Sequence, residues 1–225
     1  MSRRRSAAIT VAALGTTAIV AATNLVLNAG SLSVYRDATS FATVDADSEA
    51  GWIAVCNQLF ALLLVLRVVT AGALLTWLYG VHRNLPALGH ARLDSKPIWA
   101  VICWFVSFMN LFAPYQVVHE IWWRSDPRGP PLGNRGRLSS LLVVWWGAWL
   151  TSIATSFWGN YQDANLHMVG DIVLSVWIDI GHLAAQVVAA ISLLAIVIGI
   201  QSRQWLRHEL LLSAASEFPS ANTSV

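Results

Sequence analysis

Between Arg5 and Arg36, and again between Asp179 and Arg203, the chain carries no charged residue. Residues 98–119 and 139–162 are likewise uncharged, and residues 52–79 hold a single charge, Arg67. A spanning helix needs roughly 20 apolar residues, because each residue rises about 1.5 Å and the hydrocarbon layer is about 30 Å thick. Each of these stretches meets that length. Only 12% of the chain is charged, against about a quarter of an average soluble domain. A large soluble core would also lower that fraction. What separates the two cases is the crowding of charges into the gaps between apolar runs. The expected fold is therefore all-α, a helical transmembrane bundle.

Span boundaries follow from where polar residues resume. Spans are expected at residues 8–29, 52–79, 139–158 and 171–200, with a further apolar run at 98–123. The basic start, Arg3-Arg4-Arg5, followed by an apolar run also resembles a signal peptide. The uncharged run is longer than a signal h-region of about 7–15 residues, so a retained helix is expected. Ala8, Ala12 and Thr16 recur at a spacing that lets helix backbones approach closely in lipid. After residue 201 a short amphipathic stretch, 205–212, precedes a polar end expected to be disordered. No internal repeat of the kind that marks many transporters is visible.

Arg and Lys concentrate in cytoplasmic loops. If every apolar run crosses, six basic residues fall inside (Arg3, Arg4, Arg5, Arg83, Arg92 and Lys96). Seven then fall outside (Arg36, Arg124, Arg128, Arg135, Arg137, Arg203 and Arg207), which is no bias. If the run at 98–123 enters and returns to the same side, twelve lie inside, one outside (Arg36) and one within the membrane (Arg67). The acidic loops, 37–49 and around Asp163, then both face outward. Within this run Pro114 has no N–H, so the carbonyl of Asn110 loses its helical partner, and Asn is a good N-cap for a following helix. Residues 98–110 extend roughly 18 Å as a helix, enough to reach mid-membrane but not to cross. The expected architecture is four spanning helices plus one re-entrant or interfacial helical hairpin, with both termini cytoplasmic. Trp52, Trp158 and Trp177 then fall near the outer interface, and Trp77, Tyr79, Trp99, Trp122, Trp123 and Trp205 near the inner one, as interfacial aromatics do.

One part of the chain carries a family pattern. It begins with Trp77-Leu-Tyr-Gly-Val-His-Arg-Asn-Leu-Pro-Ala-Leu-Gly89, followed by Pro97-Ile-Trp-Ala100. It continues with Trp104-Phe-Val-Ser-Phe-Met-Asn-Leu-Phe-Ala-Pro-Tyr-Gln116 and Glu120-Ile-Trp122. Over residues 50–205 the chain resembles the domain of unknown function 4328 family of bacterial membrane proteins. The family pattern has a Pro at the position of Ser107 and a basic residue at that of Gly80, so the break on this chain rests on Pro114. The resemblance implies a bacterial multi-pass membrane protein and brings no activity with it.

The candidate site residues are the polar ones that the pattern places in or beside the membrane. Arg67 lies about ten residues from Trp77, hence roughly 15 Å from the inner boundary. A charge at that depth costs about 2.5–3.5 kcal/mol on insertion scales and marks function by default. Three roles are open to it. It can pin the hairpin by donating to the free carbonyls at 110–113, line an ion or substrate pathway, or reach lipid headgroups. Asp179, His182 and Gln186 share one face of the last span with Ser175. They suit a proton relay or a cation, or simply an interfacial Asp paired with His182. His82, Arg83 and Asn84, with His90, form an inner-face basic motif suited to headgroup contact. Glu120 and Arg124 are spaced for an ion pair. Cys56 and Cys103 read as small buried hydrophobes.

No P-loop, dinucleotide fingerprint, zinc-protease helix or nucleophile elbow is present. Neither an enzyme nor a cofactor is expected, and a net charge of +2 gives no reason to expect nucleic acid. The first expectation is a membrane scaffold or accessory subunit in the bacterial inner membrane. Its partners would be the lipid bilayer and either a second copy or another membrane protein. The alternative is a small oligomeric transporter or channel using Arg67, the broken hairpin and the Asp179/His182 face.

Overall fold

The structure, a computed structural model, describes residues 2–35, 46–89, 93–127, 139–163 and 168–217. Arg36, Asp37, Asp45, His90, Arg92, Arg128, Arg135, Arg137 and the end at 218–225 lie outside the described residues. The described residues form helices and turns in the order α1 (Ser2–Tyr35), α2 (Ala46–Arg83), a 3-10 turn at Pro86–Leu88, and α3 (Trp99–Ile102). A second 3-10 turn at Met109–Leu111, α4 (Ala113–Arg124), α5 (Ser140–Asp163) and α6 (Val169–Glu217) complete them. The fold is all-α. Four helices are long and apolar enough to cross a membrane, over Arg5–Ser33, Asp47–Arg83, Ser140–Tyr161 and Gly170–Ala214.

The helices run further than the apolar runs alone indicate. Asp47 and Glu49 open α2 and His82 and Arg83 close it, each sign at the end where the helix dipole favours it. Tyr35 at the end of α1 donates to Glu49 Oε1 at 3.0 Å. Burial, then that bond, pushes its phenol up to about 12. The amphipathic stretch 205–212 is not a separate piece of tail. It is the continuation of α6, held by side-chain bonds described below. Only 17% of the most apolar window of α2 is buried, and Phe60, Leu64, Val65, Val68 and Val69 are exposed. Apolar residues facing outward on so long a helix suit a hydrocarbon solvent.

The chain divides into two compact units, each taking segments from distant parts of the sequence. The first comprises residues 1–11, 73–142 and 195–225, and the second residues 12–72 and 143–194.

In the first unit the expected hairpin takes a different form. Its first leg is not a helix to residue 110: α3 is four residues long, and turns follow to the 3-10 turn at Met109–Leu111. Phe108 stands there at φ 61°, a conformation uncommon outside glycine. Pro114 sits in the first turn of α4, where its missing N–H costs nothing, so it starts a helix rather than breaking one. Phe112, not Asn110, occupies the cap, and no side chain bonds there. With 12 residues, α4 is about 18 Å long and too short to cross. It buries Ala113, Pro114, Val117, Val118 and Ile121 along one face. Gly89, at φ 90°, closes the Pro86–Leu88 turn by donating to Pro86 O, a left-handed position that favours glycine.

Polar groups of α6 satisfy the carbonyls that helix ends leave over. Arg207 donates from Nε to Leu88 O and from Nη1 to Asp126 O, both at 2.7 Å. Gln204 reaches Val81 O and Ser125 Oγ. Arg203 donates to Trp122 O and lies 3.8 Å over the Trp122 ring. Gly199 makes that stack fit, since a Cβ there would stand 2.8 Å from the Trp122 ring. Gly199→Ala is expected to displace the indole and destabilise the protein by about 1–3 kcal/mol, read as an earlier tryptophan-fluorescence unfolding transition in detergent. An unchanged transition would show that the ring moves aside freely.

Candidate functional site

In the second unit α2 carries Arg67, α6 carries Asp179, His182 and Gln186, α5 carries Ser152, Thr155 and Ser156, and α1 carries Thr17, Asn24 and Asn28. Close packing brings these helices together. Ala21, Leu63 and Leu183 form a buried cluster, Thr17 and Thr70 join hydroxyls at 2.9 Å, and Gly30 lies against the Trp52 ring.

His182 organises the polar groups. Its Nδ1 is 2.8 Å from Ser152 O. A carbonyl only accepts, so Nδ1 carries the hydrogen and Nε2 presents a lone pair. Gln186 Nε2 and Arg67 Nη2 both meet that lone pair, the latter at 3.4 Å. Thr155 Oγ1 is 3.4 Å from Nδ1. The sequence-based reading pairs His182 with Asp179 on the same helix. The ring meets the α5 backbone, and its described partners are Ser152, Thr155, Gln186 and Arg67.

Arg67, His182 and Ser156 border two cavities. One, of about 350 Å³, is lined also by Trp145, Trp149, Ser152, Gln186 and Thr17. The other, of about 340 Å³, is lined also by Asn24, Asn28, Asn57, Asn160, Cys56 and Asp179. Asn28 Nδ2 donates to Asn24 Oδ1 at 2.7 Å, one helical turn apart. Asp179 faces Gly159, where a Cβ would stand 3.7 Å from its Oδ1. Trp146 and Trp149 stack with centroids 4.6 Å apart. The guanidinium has five donors. Among the described residues it makes its hydrogen bond with His182 and takes part in no ion pair.

The expected partners Arg67 and Asn110 fall in different units, and each is described within its own. Arg67 bonds within the second unit, while Asn110 belongs to the first, where its buried Oδ1 has no hydrogen-bond partner. The chain reaches α4 through short turns whose own N–H groups take up carbonyls, as Leu111 N does with Phe108 O and Phe112 N with Met109 O.

His82, Arg83 and Asn84 belong to the first unit, and their partners differ. Arg83 lies over the Tyr79 ring, and Asn84 donates to Gln204 Oε1. His82 is fully buried and joins Glu120 through Ser95. Ser95 Oγ donates to Glu120 Oε2 at 3.0 Å and accepts from His82 Nε2 at 3.0 Å. That order leaves His82 Nδ1 bare, and it is buried without a hydrogen-bond partner. Glu120 Oε1 accepts from Asp94 N and Arg124 Nε, and Arg124 Nη2 pairs with Asp94 Oδ2 at 2.9 Å. Burial pushes the Glu120 carboxyl up. The bonds from His82, Asp94 and Ser95 and the Arg124 charge outweigh it and hold the group below its ordinary value. Cys103 is buried, which pushes its thiol up to about 11. Among the described residues no group of three or more His, Cys, Asp or Glu could hold a metal ion.

The sequence reading missed Ser95 and Asp94, ordinary loop residues until Glu120 is placed beside them. It also missed Asn24 and Asn28, although two amides at i and i+4 in an uncharged helix were a visible signal.

The fold and these two sites define a class: an all-helical protein with four helices able to cross a membrane and a polar cluster inside the bundle those helices form. Residues 38–202 match the family described as Domain of unknown function (DUF4328), and the chain belongs to it. No curated protein matches the chain, and no solved structure does.

Proposed function

We propose that this chain is a non-catalytic, multi-pass protein of the bacterial inner membrane that takes a small solute into its helical bundle, as a transporter or channel. The observation that carries this is Arg67, a charge in the middle of an apolar helix, without an ion pair among the described residues and bordering two cavities, one of them lined by amides and Asp179. A scaffold has no use for a charge that costs about 2.5–3.5 kcal/mol to insert, whereas a solute pathway does. Four crossings are few for a path through one copy, so a homo-oligomer goes with this proposal.

The topology proposed is four crossings with both termini cytoplasmic, supported by the twelve-to-one distribution of basic residues. Residues 98–112 then lie in the inner leaflet as an interfacial hairpin. Their exposed Ile98, Phe105, Phe108 and Phe112 suit acyl chains, and α4 is too short to cross.

Thiol labelling tests both points in intact cells. Cys56 lines the amide-lined cavity near the outer end of α2, so a membrane-impermeant maleimide should label it from outside. Buried Cys103 should stay unlabelled, and Pro130→Cys should label only after the cells are opened. Labelling of position 130 in intact cells would overturn the topology. A Cys56 that resists the reagent in intact and opened cells alike would deny the cavity its access to water.

A further inference from the structure

The indole-lined cavity shows what kind of solute Arg67 suits. We infer that the space between Arg67, Trp145, Trp149 and Ser156 is a binding site for a small anion from the aqueous phase. This rests on the solute-uptake proposal above and gives it a chemical class.

Arg67 is the only charged residue among those described around this cavity. The acid of the neighbourhood, Asp179, borders the other one. A guanidinium stays protonated at any physiological pH. Its described partner, His182, cannot offset that charge, because an imidazole carries no negative charge in either its neutral or its protonated form. The bond is also long, 3.4 Å, and uses one of five donors. His182 and Gln186 therefore orient Arg67 without neutralising it. In a low-dielectric bundle an unneutralised charge is costly, and a counter-ion removes that cost. The cavity, about 350 Å³, exceeds a single small ion several-fold, which leaves room for its water. Of the hydroxyls on its walls, those of Thr17 and Ser152 already donate to Ala13 O and Trp149 O, which leaves Ser156 to meet an anion beside Arg67.

Trp145 and Trp149 border the site, so their fluorescence reports on it directly. The test is iodide quenching of the full chain in maltoside detergent, at constant ionic strength set with gluconate. Expected is a saturable component that excess chloride suppresses and that Trp149→Phe diminishes. Arg67→Gln should weaken it about tenfold or more, and Arg67→Lys should retain most of it. The component should persist in nanodiscs rich in phosphatidylglycerol. Loss in those nanodiscs would assign Arg67 to a lipid phosphate and overturn the aqueous anion. Linear quenching, identical in Arg67→Gln, would overturn the site itself. The two proposals fail separately. Saturable binding in a protein that passes no solute across liposomes would leave the anion site standing and remove the transport reading. Passage of cations or sugars without saturable iodide binding would do the reverse.

Discussion

Arg67→Leu should leave the protein folded, at least as abundant in the membrane and at least as resistant to unfolding as the parent. The substitution removes a charge whose insertion costs about 2.5–3.5 kcal/mol. It gives up one long hydrogen bond to His182, which at that length is worth little. If Arg67 instead held the fold together, as the sequence-based pin to Asn110 required, its loss would leave buried carbonyls unsatisfied and abundance would fall. Quantitative membrane immunoblotting, with thermal unfolding of the purified protein in detergent, separates the two outcomes. A drop of several kcal/mol in stability would return Arg67 to a structural role.

Glu120→Ala should have the opposite effect. Glu120 anchors the Asp94–Ser95 segment to α4, and its side chain is only 8% exposed. Its removal strips Ser95 and the Asp94 N–H of their acceptor and takes from Arg124 its partner on α4. Hydrogen bonds to a charged group are worth about 1.5–3 kcal/mol, so the loss should appear as an unfolding transition shifted to milder denaturant. The pH dependence has a definite sign. The folded carboxyl titrates below its ordinary value, so the unfolded chain binds the proton more readily. Its contribution is fully present above the ordinary glutamate value of about 4.3 and is lost as the pH falls through the lower folded value. Denaturant midpoints measured across that acid window should fall for the parent and change less for Glu120→Gln. Equal slopes would mean that Glu120 is not the group concerned.

Much of this architecture is legible in the sequence because the membrane imposes a simple rule on charge. The four long helices follow from gaps between charged residues, and Arg67 stands out because it is alone in such a gap. Asp179, His182 and Gln186 are visible as a set because helical periodicity puts them on one face. Glu120 and Arg124 pair as their spacing indicates. Long-range partners are not visible in this way. Arg67 meets His182 across 115 residues, and nothing in either neighbourhood names the other. Pro114 was ambiguous for a physical reason: a proline without its N–H breaks a helix interior and suits a first turn equally well. What decided the matter was the irregular backbone before it, including Phe108 at φ 61°. The extension of α6 was hidden because Arg203, Gln204 and Arg207 look like the start of a polar tail. They are instead the residues that bind the ends of α2, the Pro86–Leu88 turn and α4.

Solute passage through the purified full chain, reconstituted into liposomes, tests the central proposal most directly. The measurement is the rate at which trapped chloride, potassium and an uncharged sugar leave, with empty liposomes as the baseline. The parent should release chloride faster than the baseline, and Arg67→Leu, folded and equally abundant, should return to it. Release at the baseline rate for all three solutes, in vesicles shown to contain folded protein, would contradict a solute path through this bundle.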